Sequence, residues 1–429
     1  MARVAGVAKK GSLMSKTPEE MVAERTKRLE DAFALRQPDR IPISMNFGYM
    51  LAKMGGITCQ ELDANPEKAQ ELLEQAVVYF QPDQAFGLAG FISGPSVMLG
   101  DRLTRWPGHG LPPDKPMQFI EGEYMKAEEY EDFLEDPTNY TLRKLLPRMY
   151  EKLDGLARLP RLAMLLTGYP AFTSLAALTH PSAVASLEAL VKVARFHADR
   201  VPLMKKYGER MAALGFPSGI GRLGAFALAP FDFMSDTLRG MRGVFLDMRR
   251  RPEKLLAAEE KARRICAEDA IQSCRAMGTR YVFIPLHRGS DEFISLEQFE
   301  TFYWPQLKGL VMDLVAGGVV PSLFYEGVWD RRLHYLRELP KGATIGRFQR
   351  TNIHKLKEMV GDVMCISGCF PSSTLQVGTP DEVRKLTKEM CQVLGKGGGF
   401  VMGANSSMDE CDPKLVKVWA DATREYGAY

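Results

Sequence analysis

The chain of 429 residues sets 56 Lys and Arg against 53 Asp and Glu, a formal net charge of +3, with 45% hydrophobic and 25% charged residues. This is an ordinary globular balance over a length that can bury a large core. It includes no isolated basic block of the kind that holds nucleic acid, and no apolar run reaches the roughly 18 residues of a membrane span. Seven cysteines, an odd and sparse set without a CxxC pair, point to a reducing compartment, the cytoplasm, with mostly free thiols.

In chain order, residues 1–17 lack the long apolar run of a signal peptide and read as a flexible arm. Ser15 or Thr17 is placed to cap a first helix, with Pro18 in its first turn and Glu19 and Glu20 at its positive end. That helix runs to about Leu35, and Pro38-Asp39-Arg40 breaks the chain before a short strand at 41–47. A helix is predicted over 59–80 and an apolar strand-like segment near 85–92. Residues 101–119, DRLTRWPGHGLPPDKPMQF, are dense in Gly and Pro. They read as a long ordered loop, because Trp106, Leu111, Met117 and Phe119 need a surface to pack on. Such a loop either covers an active site or is a surface excursion. Helical patterning follows over 126–157, interrupted near Pro137, and over 181–214. A strand-like stretch at 222–231 leads into Asp232, Asp236 and Arg239, and a helix spans 252–277.

From residue 278 the pattern is regular. Strands are expected at 281–286, 319–325, 344–348, 363–367 and 400–402, and helices at 296–316, 329–338, 353–360, 380–394 and 414–426. Short apolar strands alternating with helices specify a parallel sheet with right-handed crossovers. About four such units follow residue 278 and about as many precede it. The predicted fold is α/β, one (β/α)8 TIM barrel over 18–429 with an N-terminal helical extension. An open doubly wound sheet would carry a glycine-rich dinucleotide fingerprint, which is absent, and GKGGGF at 395–400 has no phosphate-loop register.

Barrel enzymes place working groups just past the C-terminal ends of strands. Here those ends read His287-Arg288-Gly289, Glu326-Gly327, Gln349-Arg350-Thr351-Asn352, Gly368-Cys369-Phe370-Pro371 and Gly403-Ala404-Asn405-Ser406-Ser407. Glu326, directly after an apolar strand, is costly to bury unless paired or metal-bound. With His287 and Cys369 it offers oxygen, nitrogen and sulfur, a mixed set that zinc accepts with a fourth position open. His287 reads equally as a hydrogen-bonding residue across the barrel top, and Cys369 as a small buried hydrophobe. Glu326, His287 and Asp232 are the candidate catalytic groups. Tyr325, Arg239, Arg350, Asn405 and His109 are the candidate substrate contacts, the arginines for a carboxylate or phosphate and His109 as a proton donor on a lid. The alternatives are helix-end ion pairs for the arginines and plain solvent exposure for His109. Cys365 is assigned to the core.

Six stretches carry a family resemblance: TLRGMRGVFLDMRRRPEKL at 237–255, FISLEQFETFYWPQLKGL at 293–310, SLFYEG at 322–327, SGCFPSSTLQVGTPDEV at 367–383, and the terminal GGGF and REYGAY. The chain resembles the uroporphyrinogen decarboxylase superfamily, more its methyltransferase-type branch than the decarboxylases, over nearly everything after about residue 20. The resemblance implies a (β/α)8 barrel. The decarboxylases' arginine-rich strand and loop is replaced here by ISMNFGYM at 43–50, and their Gly-His-Gly by Gly403-Ala404-Asn405, which argues against porphyrinogen decarboxylation. The corrinoid-linked methyltransferases hold zinc with a His-x-Cys pair and a later Cys. The pair falls on Phe324 and Glu326, and the later Cys near Ala404 or Asn405, so only Glu326 matches a metal-binding position. The resemblance therefore implies a shifted site at Glu326 with His287 or Cys369. It also implies demethylation of a small methylated compound such as an aryl methyl ether, with a separate corrinoid protein as acceptor. A cofactor-free decarboxylase using Arg239 or Arg350 with Asp232 is the rival, and a non-enzymatic binding protein the third reading. The sequence leaves oligomeric state open, a homodimer included.

Overall fold

The structure, a computed structural model, describes residues 16–87, 93–217 and 225–429. Its central sheet has eight parallel strands: β1 Ile43–Asn46, β2 Gln84–Phe86, β3 Ala225–Phe226, β4 Tyr281–Leu286, β5 Val320–Tyr325, β6 Ile345–Phe348, β7 Cys365–Phe370 and β8 Phe400–Ala404. Their spatial order is β2-β1-β8-β7-β6-β5-β4-β3. The strands from β3 through β8 and on to β1 and β2 each pair in parallel with the next. The sheet is curled, and among the described residues β2 and β3 do not pair with each other. The expected alternation of strands and helices is therefore present, as a curled parallel sheet with barrel-like order. The apolar stretch predicted near 85–92 is a strand at Gln84–Phe86, with 88–92 outside the described residues. The strand predicted over 222–231 is Ala225–Phe226, with 222–224 likewise outside them, as is most of the 1–17 arm.

Side chains alternate across each strand, so the two faces of the sheet differ. Val282, Ile284, Leu286, Leu323, Tyr325 and Phe348 are buried in the large core shared with the surrounding helices. The concave face begins with a separate apolar layer. There Tyr281, Ile345, Cys365 and Val401 pack against Leu29, Ala32 and Phe33 of the first helix, Pro18–Phe33. The N-terminal helix thus floors the curled sheet at the strands' N-terminal ends. Thr17 caps it as expected, with Glu20 completing a capping box. Asp83, fully buried just before β2, fixes the floor in place. It accepts hydrogen bonds from Arg28 at 2.6 Å, from both terminal nitrogens of Arg40 at 2.7 and 2.9 Å, and from the Ile43 amide at 2.9 Å.

Several boundaries differ from the sequence expectation, each for a local reason. The helix predicted over 59–80 is two, Cys59–Ala64 and Pro66–Phe80, because the residue before a proline is driven out of helical geometry, and Asn65 instead caps the second. The Gly/Pro stretch at 101–119 folds into a small three-stranded sheet of Thr104–Pro107, Gly110–Leu111 and Gln118–Phe119, with Trp106 buried but Phe119 exposed. The predicted 329–338 helix is only Leu333–Leu336. Gly368 does not end β7 as expected: it takes φ +80°, where a Cβ would lie 2.9 Å from the Phe348 carbonyl oxygen, and the strand continues through Cys369 at φ +70° to Phe370.

Replacing Asp83 with alanine leaves Arg40 without its carboxylate partner and the Ile43 amide without its acceptor, while Arg28 keeps only its pair with Asp39, and we expect it to cost about 3–5 kcal/mol. The shift in urea midpoint, with the m-value monitored for loss of cooperativity, measures this. A loss below about 1 kcal/mol would show that the floor is held by apolar packing alone.

Candidate active site

The C-terminal ends of β4 and β5 put His287 and Glu326 side by side. The register pairs Leu286 with Tyr325, so the two residues that follow are level with one another. The His287 Nε2 is 3.7 Å from a Glu326 carboxyl oxygen. Both side chains are about one-third exposed, at 31% and 36%, so both are open to a small molecule.

The acids that organise His287 come from the segment after β3. Pro230–Asp232 begins a helix that widens into a π-type turn over Phe233–Leu238, a local expansion frequent at functional sites. Asp232 is fully buried. Its carboxyl accepts from the His287 amide at 2.9 Å, the Arg288 amide at 3.1 Å and the Tyr303 hydroxyl at 2.8 Å, and so fixes the backbone where β4 ends. Asp236 meets the imidazole itself, its Oδ2 2.5 Å from His287 Nδ1, while its other oxygen accepts from Ser235 and lies 3.4 Å from Arg288. Glu326 is held from behind: its carbonyl accepts from the Trp329 indole at 2.8 Å, and the next amide, Gly327, donates to the Gln349 side chain at 2.7 Å.

These placements set the protonation states. Burial alone would lower the His287 pKa, but the hydrogen bond to Asp236 and the charges of Asp232, Asp236 and Glu326 outweigh it and carry the pKa up to about 9. His287 is therefore an imidazolium at neutral pH, with Nδ1–H directed at Asp236 and Nε2–H at the opening beside Glu326. Burial raises Glu326 above the usual carboxylate range, with Asp236 adding to that and His287 opposing it. Burial together with Asp236 brings Asp232 up to about 7. Behind Asp232, Glu259 is fully buried with neither oxygen hydrogen-bonded to a described residue. Burial, with the charge of Asp232 adding to it, raises its pKa well above the usual carboxylate range.

The remaining candidates fall in different places. Tyr325 points to the helix side of the sheet, stacked on Phe348 with centroids 4.4 Å apart and edge-on to Trp329, its hydroxyl enclosed. Arg239 is buried in an ion cluster with Asp247, Glu123 and the Met125 carbonyl, and so is engaged within the protein. Arg350 pairs with Glu292 at 2.6 Å on the surface. Asn405 bridges strand ends, accepting from the Ser372 amide and donating to the Gln349 carbonyl. His109 is exposed in the small sheet's turn. The Cys369 thiol is 3.7 Å from the Ser367 carbonyl oxygen, and burial pushes its pKa up to about 12.

The expected zinc site does not fit these residues. The three side chains do not gather: His287 turns Nδ1 to Asp236, while the Cys369 thiol lies against the Ser367 carbonyl within its own strand. Among the described residues no three His, Cys, Asp or Glu side chains gather as a ligand set. A cleft of about 410 Å³ opens beside β1 and β8, but in its wall Lys53 donates to the Glu410 and Cys411 carbonyls and Asp409 accepts from the Tyr49 amide and the Ser407 hydroxyl, and none of the groups around His287 lines it. The seven cysteines are free thiols, and no helix among the described residues is long and apolar enough to cross a membrane.

A family model described as uroporphyrinogen decarboxylase (URO-D) matches residues 177–426, more than half of the chain and including β3 to β8 and every acid around His287. The chain belongs to the uroporphyrinogen decarboxylase family. Among solved structures it is similar to a methyltransferase from Methanosarcina mazei, at 15% identity and a TM-score of 0.56 over 94% of this chain and 98% of that one. That identity establishes a shared fold. A B12-independent methionine synthase from Shewanella sp. W3-18-1, in complex with selenomethionine, overlaps 47% of this chain and 60% of its own at 11% identity and a TM-score of 0.32. No curated protein matches the chain.

Sequence reasoning reached His287, Glu326 and Asp232 through the strand-end rule but gave no role to Tyr303 or Glu259, whose positions depend on helix packing. Asp236 was legible as a polar neighbour, four residues after Asp232, without its partner being apparent.

Because the His287 pKa is raised from 6.5 to about 9, folding favours its protonated form. Its contribution to stability is full below about pH 6.5 and is lost as pH rises through about 9. Above pH 7 the Asp232 titration, centred at about 7, is passing out of the way, so the upper part of that window reports His287. The wild type should lose stability between pH 7.5 and 9.5 more steeply than His287→Gln, as read from urea midpoints across about that range. Equal slopes would count against a charged His287.

Proposed function

We propose that the protein removes a methyl group from a small aryl methyl ether and passes it to a corrinoid carried by a separate protein. The observation that carries this reading is the imidazolium of His287, fixed through Nδ1 by Asp236 and presenting Nε2 next to Glu326 at the strand ends. Family membership supports an enzyme, and the fold shared with a structure titled a methyltransferase supports the branch. We read the curled sheet as the greater part of a (β/α)8 barrel that the partner approaches from the strands' C-terminal side.

An ether oxygen is a poor leaving group unless the charge it develops is neutralised as the methyl carbon departs. The reduced corrinoid supplies the nucleophile. When the carbon–oxygen bond breaks, its electron pair stays on oxygen, and His287 delivers the Nε2 proton there. A donor with a pKa of about 9 is close to a phenol's of about 10, so the transfer is nearly balanced and most effective as the bond breaks. Asp236 holds the ring in position throughout and steadies its charge before transfer. Glu326 steers the Nε2–H and accepts from the substrate or from the incoming proton that restores His287. In this reading His287, beside Glu326, supplies the acid function that the resemblance assigned to a shifted zinc.

Cofactor-free decarboxylation is less well supported, since Arg239 and Arg350 are paired within the protein and Asp232 is turned to the backbone of residues 287 and 288. Carbon dioxide release without any corrinoid protein would favour it.

With purified corrinoid protein and an aryl methyl ether, we expect Glu326→Gln to lower the transfer rate by about tenfold or more and His287→Gln by about a hundredfold, in line with loss of a general acid. The wild-type rate should fall as pH rises through about 9. An unchanged rate in Glu326→Gln would remove its assigned role, and a rate that rises across that pH range would overturn the acid function of His287.

A further inference from the structure

One arginine on the concave face lacks the partner that the other buried arginines have. Arg28, Arg239 and Arg332 each pair with at least one carboxyl group, and Arg25 donates to the Gln81 side chain and the Gly215 carbonyl. Arg347, the third residue of β6, has no hydrogen bond or ion pair to any described residue. Its guanidinium instead lies 5.6 Å from the Phe324 ring centroid and 5.9 Å from that of Phe283. These two rings are themselves stacked, with centroids 6.4 Å apart at 27°, and Phe226 continues the row 6.3 Å beyond.

The strand register locates this group. The Arg347 α-carbon is paired with that of Phe324 on one side and Ser367 on the other. Two residues below, Ile345 belongs to the apolar floor. Two residues above Phe324 comes Glu326, about 7 Å further along the strand. Arg347 is enclosed by the protein yet keeps partial accessibility, as do Phe283 and Phe324. Deep enclosure with residual accessibility means that the three face open space inside the curl of the sheet.

A guanidinium in such a place has two ring faces beside it and no counter-charge. Burial lowers its pKa to about 10, which still leaves it charged at neutral pH. Its nitrogens remain accessible, but no carboxyl group among the described residues balances the charge, and two aromatic faces stand in for a counter-ion only in part. A planar anion would complete it, since the guanidinium fork matches a carboxylate bidentately. The flanking rings offer flat apolar surface for the rest of such a molecule. Along the strand direction the Arg347 position and the Glu326 position differ by about two residues, or about 7 Å.

We propose that Arg347 is the anion-binding residue of a subsite on the concave face, taking the carboxylate of an aromatic acid whose ring lies against Phe283 and Phe324. The substrate class becomes the methoxylated aromatic acids, the carboxylate seated deep and the ether oxygen at His287. Only this last placement rests on the demethylation reading. The subsite itself does not.

Direct binding tests the subsite without any corrinoid partner. Calorimetric titration of the full-length protein with 4-methoxybenzoate and with its uncharged isostere 4-methoxybenzamide is the core measurement, repeated on Arg347→Gln. The acid should bind the wild type about tenfold or more tightly than the amide, and Arg347→Gln should lose that preference while binding the amide as before. Because the substitution removes a charge without a counter-charge and breaks no hydrogen bond or ion pair to a described residue, its urea midpoint should be no lower than that of the wild type. If the variant fails to fold, the acid–amide comparison on the wild type still decides. Equal affinities for acid and amide, absence of binding by the acid, or an undiminished preference in Arg347→Gln would each overturn the proposal. Tight, Arg347-dependent binding without methyl transfer would uphold the subsite and count against demethylation alone.

Discussion

Asp232 and Asp236, one turn apart on a widened helical segment, act on a single residue of the neighbouring strand end. One carboxyl takes the main-chain amides of residues 287 and 288, and the other takes the imidazole of residue 287. The first contact fixes where the strand stops and the second fixes which ring nitrogen faces outward and in what charge state. Without this pair His287 would be an ordinary half-exposed histidine, neutral for much of the physiological range. With it, a positive donor stands at the rim beside a carboxyl group that burial makes reluctant to ionise. The electrostatic character of the rim derives from that arrangement.

Below the rim the concave face is graded. The N-terminal helix closes the bottom with Leu29, Ala32 and Phe33, held by the Asp83 ion network. Above the floor comes a belt of aromatic rings and the guanidinium of Arg347, and above that the titratable groups of the strand ends. Water admitted from below would weaken every interaction in the belt, so the floor belongs to the site as much as to the fold. The Tyr303 hydroxyl and Glu259 extend the same organisation outward, as a buried shell behind Asp232 that keeps solvent from the carboxyl.

Much of this was legible in the sequence because a parallel strand followed by a helix has a strong local signature. The alternation after residue 278 located five strand ends, and the tendency of such ends to carry working groups singled out His287 and Glu326. The family resemblance, read from segments such as 237–255 and 293–310, is confirmed by the match over 177–426. Features set by distant contacts were not legible. Arg239 looked available for a ligand because its partner Glu123 is 116 residues away. Cys369 looked like a strand-end thiol because a left-handed glycine usually stops a strand, whereas Gly368 here lets β7 continue past it. Arg347 gave no signal because an arginine in a strand reads as an edge or surface residue until its neighbours are known.

The charge state of His287 is the point on which the proposed chemistry turns, and an NMR pH titration of its side-chain nitrogens reads it directly. Histidine labelled with nitrogen-15, assigned by comparison with His287→Gln, should show His287 titrating with a pKa of about 9 and Nδ1 protonated across the neutral range. A midpoint at or below the ordinary histidine value of 6.5 would contradict the account.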